Sequence, residues 1–96
     1  MEADKLEIAK VIGNVWATKK DQKLNGLKLL VLKVLVDKEK EKEGLIVASD
    51  IVGAGVGDLV LISRGGSARR AVGNIDAPID AAVIGIVDSI EVFEDE

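Results

Sequence analysis

Over residues 8–18 apolar and β-branched residues follow the two-residue period of a strand. The odd positions, Ala9, Val11, Gly13, Val15 and Ala17, are small and apolar and suit a tight interior. The even positions set Ile8, Ile12 and Trp16 between Lys10 and Asn14, a face too apolar for free exposure to solvent. Residues 19–26 are polar, with Asn25-Gly26 as a turn signal, and a second strand over 27–36 is again apolar on both faces. The run Asp37-Lys38-Glu39-Lys40-Glu41-Lys42-Glu43-Gly44 alternates in sign. It reads as a solvated hairpin tip, because mixed charges create no directed field.

A third strand covers 45–52 and a fourth 59–63, joined by the tight connection Gly53-Ala54-Gly55-Val56-Gly57-Asp58. Residues 65–72 predict one or two helical turns with Ser67 as N-cap. A loop over 73–80 holds the only proline, Pro78, and a long aliphatic strand is predicted over 81–92 before the acidic tail Phe93-Glu94-Asp95-Glu96. Five strands with one short helix before the last predict an all-β fold, a small closed five-stranded barrel. Closure also removes the exposed edges that such aliphatic strands would otherwise present. The chain reads as one domain over residues 1–96, its core at about 8–92, with no internal repeat or linker.

Composition adds a constraint. Of the 96 residues 48% are hydrophobic, nearly all of them Val, Ile, Leu and Ala, and Trp16 and Phe93 are the only aromatics. A domain of this size buries roughly 60–65% of the surface of its unfolded chain. A small barrel interior cannot absorb so many aliphatic side chains, so part of them must cover a second surface, which points to an oligomer.

The absences narrow the chemistry. Without any His, Cys or Tyr, the chain has no Ser-His-Asp or Cys-His nucleophile, no thiolate and no imidazole acid–base group. Zinc sites built from Cys or His are excluded as well. No catalytic residue, cofactor-binding residue or metal ligand is assigned. The formal net charge of −4 and the scarcity of aromatics oppose nucleic-acid binding. The longest apolar run, 24–36, is broken by Asn25, Lys28 and Lys33 and falls short of the roughly 20 residues that cross a bilayer. The acidic start Met1-Glu2-Ala3-Asp4 leads into no signal-peptide h-region. These features predict a soluble cytoplasmic protein.

Three features invite a binding reading. The Gly53-x-Gly55-x-Gly57 run is followed by Asp58 and a strand, not by the helix N-terminus and Lys-Ser or Lys-Thr pair of a phosphate loop. Backbone turns explain it better. Gly65-Gly66-Ser67 with Arg69 and Arg70 could hold an anion, although a capped helix with paired arginines is the plainer reading. Asp50, Asp58, Asp76, Asp80 and Asp88 lack the spacing of a calcium loop and read as turn and barrel-rim residues. Trp16 reads as a packing anchor.

Five segments in order resemble the EutN/CcmL family of bacterial microcompartment vertex proteins. They are Ala9-Lys10-Val11-Ile12-Gly13-Asn14-Val15-Trp16-Ala17-Thr18-Lys19-Lys20, Leu24-Asn25-Gly26-Leu27-Lys28-Leu29-Leu30, Gly53-Ala54-Gly55-Val56-Gly57-Asp58-Leu59-Val60-Leu61, Ser67-Ala68-Arg69, and Pro78-Ile79-Asp80-Ala81 leading to Gly85-Ile86-Val87-Asp88. The chain departs from the family where Gly66-Ser67 replaces a frequent serine pair, and where residues 1–7 form a modest N-terminal addition. The resemblance implies an OB-like barrel assembled as a homopentamer, with a six-membered ring the second choice. It implies hexameric shell proteins as partners, since planar hexameric tiles cannot close a shell without rings that introduce curvature. Gly57, Gly65, Gly66, Ser67 and Arg69 are expected at subunit contacts or near the ring axis. The alternative from another class is a small anion- or nucleotide-binding regulatory barrel that uses Ser67, Arg69 and Arg70.

Overall fold

The computed structural model describes residues 5–18, 20–37 and 39–93. Part of the N-terminal addition and the acidic residues Glu94, Asp95 and Glu96 lie outside the described residues, as do Lys19 and Lys38. The elements are β1 (Leu6–Asn14), β2 (Lys28–Asp37), β3 (Lys40–Glu41), β4 (Ile46–Asp50), β5 (Leu59–Arg64), α1 (Gly65–Ala71) and β6 (Ala81–Ile86), with a 3-10 turn over Gln22–Leu24.

Strands β1, β5, β6, β4 and β2 pair in that order, and β2 pairs back to β1, so the sheet closes on itself. Every pairing is antiparallel except that of β4 with β6. Counted along the chain, the five barrel strands run first, second, third, fifth, fourth around the wall. This is the Greek-key order of an OB-type barrel. The two-residue β3 folds back on the end of β2, opposite Leu35 and Asp37, at the charged hairpin tip.

Alternation sorts the side chains as the pattern demands. Ala9 and Val11 of β1, Leu30, Leu32 and Val34 of β2, Ala48 of β4, Val60 and Ile62 of β5, and Ala81 and Val83 of β6 fill the interior. Their neighbours, among them Ile12 and Val47, face outward and keep 41% and 49% of their surface exposed. Helix α1 packs on the outside of β5 and β6. Small residues make that seat possible, since Ala68 of α1 and Ala82 of β6 are both fully buried. Ser49 and Ser63 flank Ala82 in register on either side, buried, and neither hydroxyl has a hydrogen-bond partner among the described residues.

Three expected features change. The first strand stops at Asn14, not Thr18, because Val15 makes one last bond to Leu29 (3.1 Å) and the chain then leaves β2. Trp16 therefore sits in a loop with 90% of its surface exposed and anchors nothing among the described residues. The last strand stops at Ile86, not Val92, because β5 begins at Leu59. The Val87 amide takes the Leu59 carbonyl (2.8 Å), and no further partner strand remains. Finally, Ser67 does not cap α1. Because β5 runs directly into the helix, the N-cap position falls on Arg64, whose side chain makes no cap bond, and the Ser67 hydroxyl donates to the Arg64 carbonyl (2.9 Å).

Candidate functional site

The connection after β4 is organised by Asp50. Its carboxylate is buried, accepts the amides of Val52 (3.1 Å) and Ala54 (2.9 Å), and lies 3.4 Å from the Lys28 ammonium on β2. Lys28 also donates to the Ala54 carbonyl (2.9 Å), so the turn is held from both ends. Further on, the Gly55 amide bonds the Asp58 carboxylate (2.9 Å), and the Gly57 amide bonds the Val11 carbonyl (2.8 Å). Gly57 has φ +97°, which only glycine adopts without strain. The amides of Val52, Ala54, Gly55, Gly57 and Asp58 are thus spent on internal acceptors and do not converge on a common anion.

The connection after β5 is organised by Arg64. Its Nε donates to Glu7 of β1 (2.6 Å) and its guanidinium lies 3.6 Å from Asp80, so the start and end of the α1 excursion are tied to the barrel. The Gly65 amide bonds the Asp80 carbonyl (3.0 Å) and Arg69 donates to the Ile79 carbonyl (3.0 Å). Gly66 lies under the Arg70 guanidinium, where an added Cβ would sit 3.2 Å from Nη1. The candidate residues therefore fall on two connections. Gly57 is fastened to β1, whereas Gly65, Gly66, Ser67 and Arg69 ride on α1.

The carboxylates are dispersed in the same way. Among the described residues no group of three or more acidic side chains is placed to hold a metal ion. What the barrel does present is an aliphatic exterior. A groove of about 430 Å³ lies across the outer face between Leu6 and Ile8 of β1, Leu35 of β2 and Leu61 of β5, with Ile90 and Val92 folded back along it. Leu6, Val36 and Val92, which line it beside Glu7 and Asp37, are 50% or more exposed.

The sequence profile of the family described as "Ethanolamine utilisation protein EutN/carboxysome" matches residues 6–88, the whole barrel. The chain belongs to the EutN/CcmL family. The carboxysome shell vertex protein CcmL of Synechocystis is 45% identical over 91% of this chain and 87% of its own length. The shell vertex protein GrpN of Rhodospirillum rubrum is 46% identical over 88% of this chain and 94% of its own. Among solved structures, CcmL of Gloeobacter violaceus superposes with a TM-score of 0.82 at 38% identity, covering 90% of this chain and 89% of that one. The R. rubrum protein, described as a pentameric microcompartment shell protein, superposes at 0.81 with 44% identity, covering 91% and 99%. As a EutN/CcmL protein this chain is a structural shell vertex protein of a bacterial microcompartment, which places it in the cytoplasm, and it is not an enzyme.

Two organising residues escaped the sequence reading of this EutN/CcmL barrel. Asp50 is one of five scattered aspartates in the sequence, although its place between an aliphatic strand and a glycine run is a usable signal. Arg64 carried no signal, because its partners Glu7 and Asp80 are distant in sequence.

Proposed function

We propose that the chain works as a single domain in a homopentameric ring at the shell vertex, bordered by hexameric shell proteins. The observation that carries this reading is the aliphatic exterior of a barrel whose interior is already full. Val47 and Ile12 face away from the core and remain substantially exposed in one chain. Burying such surface is worth roughly 25 cal/mol per Å². A ring supplies that burial through heterologous contacts that close by rotation. Membership of a family with a relative described as pentameric supports five copies.

In this reading Gly57, Gly65, Gly66, Ser67 and Arg69 lie at subunit contacts or near the axis. Native mass spectrometry at moderate salt tests the assembly. Five chains of 10.2 kDa come to 51 kDa, the expected species, against 61.2 kDa for six and 10.2 kDa for a monomer. Gly57→Trp is expected to abolish the 51 kDa species. Gly57→Ala carries the same strain at φ +97° without the bulk and is expected to retain it. Unchanged ring mass in the tryptophan variant refutes a contact at Gly57. The anion-binding alternative is disfavoured, since Ser67 and Arg69 already donate to carbonyls of their own chain.

A further inference from the structure

On the outer face of the barrel Lys10 of β1 stands directly opposite Lys33 of β2. Like charges at directly opposed cross-strand positions destabilise a sheet. Their sequence neighbours Ala9, Val11, Leu32 and Val34 point into the core, so both lysines point outward. Across β1 on the other side, Lys10 faces Leu59. Among the described residues neither lysine has an ion-pair or hydrogen-bond partner. Two ammonium groups thus stand side by side on the outer face, and among the described residues no carboxylate is paired with either, Asp37 farther along β2 included.

The segment that follows β6 carries the missing charge. Its sequence, Ile90-Glu91-Val92-Phe93-Glu94-Asp95-Glu96, sets carboxylates among apolar residues, the complement of lysines among aliphatics. Ile90 and Val92 already lie along the neighbouring groove of their own chain, next to Ile8 and Leu35. Even so, Glu91 pairs with neither lysine, and Phe93 is left 89% exposed. Among the described residues of one chain, the arm lies along the groove beside Ile8 and Leu35 and pairs with neither lysine.

We propose that Lys10 and Lys33 receive Glu91 from the arm of a second copy, so that each subunit clasps its neighbour in the ring. The proposal rests on the assembly reading above and specifies one contact within it. Val92 and Phe93 accompany the carboxylate onto the aliphatic face, which excludes water and strengthens the charge pairing. The clasp is heterologous, arm against barrel wall, as a rotational ring requires.

Charge reversal tests it on the full chain, with circular dichroism confirming the barrel in every variant. Lys10→Glu with Lys33→Glu sets like charges against the arm and is expected to raise the concentration for half-maximal ring formation by about tenfold or more. Glu91→Lys alone is expected to act in the same direction. Combining all three substitutions is expected to restore most of the ring. A ring indifferent to the lysine reversal, or a triple variant no better than the lysine variant alone, overturns the clasp and leaves the assembly reading standing. A wild-type chain that stays monomeric overturns both. Carbodiimide coupling of rings refolded from mixed light and heavy-isotope chains gives an independent readout. Links from Glu91 to Lys10 or Lys33 are expected between isotopes, and links confined to one isotope overturn the proposal.

Discussion

Asp50→Ala is expected to lower the stability of the barrel by about 3 kcal/mol. The loss is dominated by the Ala54 amide, which is buried and left without an acceptor. Val52 is partly exposed, so its amide recovers water, and the Lys28 side chain is 52% exposed, so the ion pair itself contributes little. Against a total of about 5–15 kcal/mol for a domain, such a loss is severe. Asp50→Asn separates shape from chemistry. It keeps one acceptor oxygen but turns an NH₂ toward either the Val52 or the Ala54 amide, and is expected to recover less than half the loss. Denaturant midpoints at one fixed protein concentration measure both variants, because assembly contributes to apparent stability. A midpoint for Asp50→Ala within error of the wild type contradicts the role assigned to this carboxylate.

Leu32→Ala is expected to cost about 2–5 kcal/mol by leaving a cavity at the centre of the barrel. Leu32 is fully buried and paired between Val11 on β1 and Ile46 on β4, so its place has no route to collapse without moving two strands. Val47→Ala removes a side chain of similar character from the opposite face of the same wall, where 49% of it is exposed. Its effect on the isolated chain is expected to stay below about 0.5 kcal/mol. The paired measurement, denaturant unfolding of the chain diluted below the concentration at which it assembles, checks that the two faces of these strands have different duties. Equal losses from the two substitutions would show that the interior and the exterior contribute alike to the single subunit.

The barrel was legible because runs of β-branched and aliphatic residues of strand length recur along the chain, and because Asn25-Gly26 and the glycines at 53, 55 and 57 mark the turns. Strand ends were not legible. Val15 to Thr18 and Val87 to Val92 keep strand composition, yet a strand lasts only as long as its neighbour, and Leu29 and Leu59 set those limits from elsewhere in the chain. Trp16 misled for a related reason, since a large apolar residue suggests a core but cannot say whose. Ser67 was a sound cap by residue type. The cap position moved because β5 enters α1 without a break, which composition does not reveal. The outward aliphatic face, by contrast, followed from counting apolar residues against what a small barrel can hold.

The hairpin tip between β2 and β4 has a practical consequence. Every described residue from 37 to 44 is exposed, and Asp37 fastens the turn through the Glu39 amide (3.0 Å). The chain contains no cysteine, so Glu39→Cys would create its sole thiol, on a segment that tolerates change. A spin label or fluorophore attached there would report on one defined point per subunit. The pattern of distances between such labels would then measure the symmetry of the assembly directly in solution.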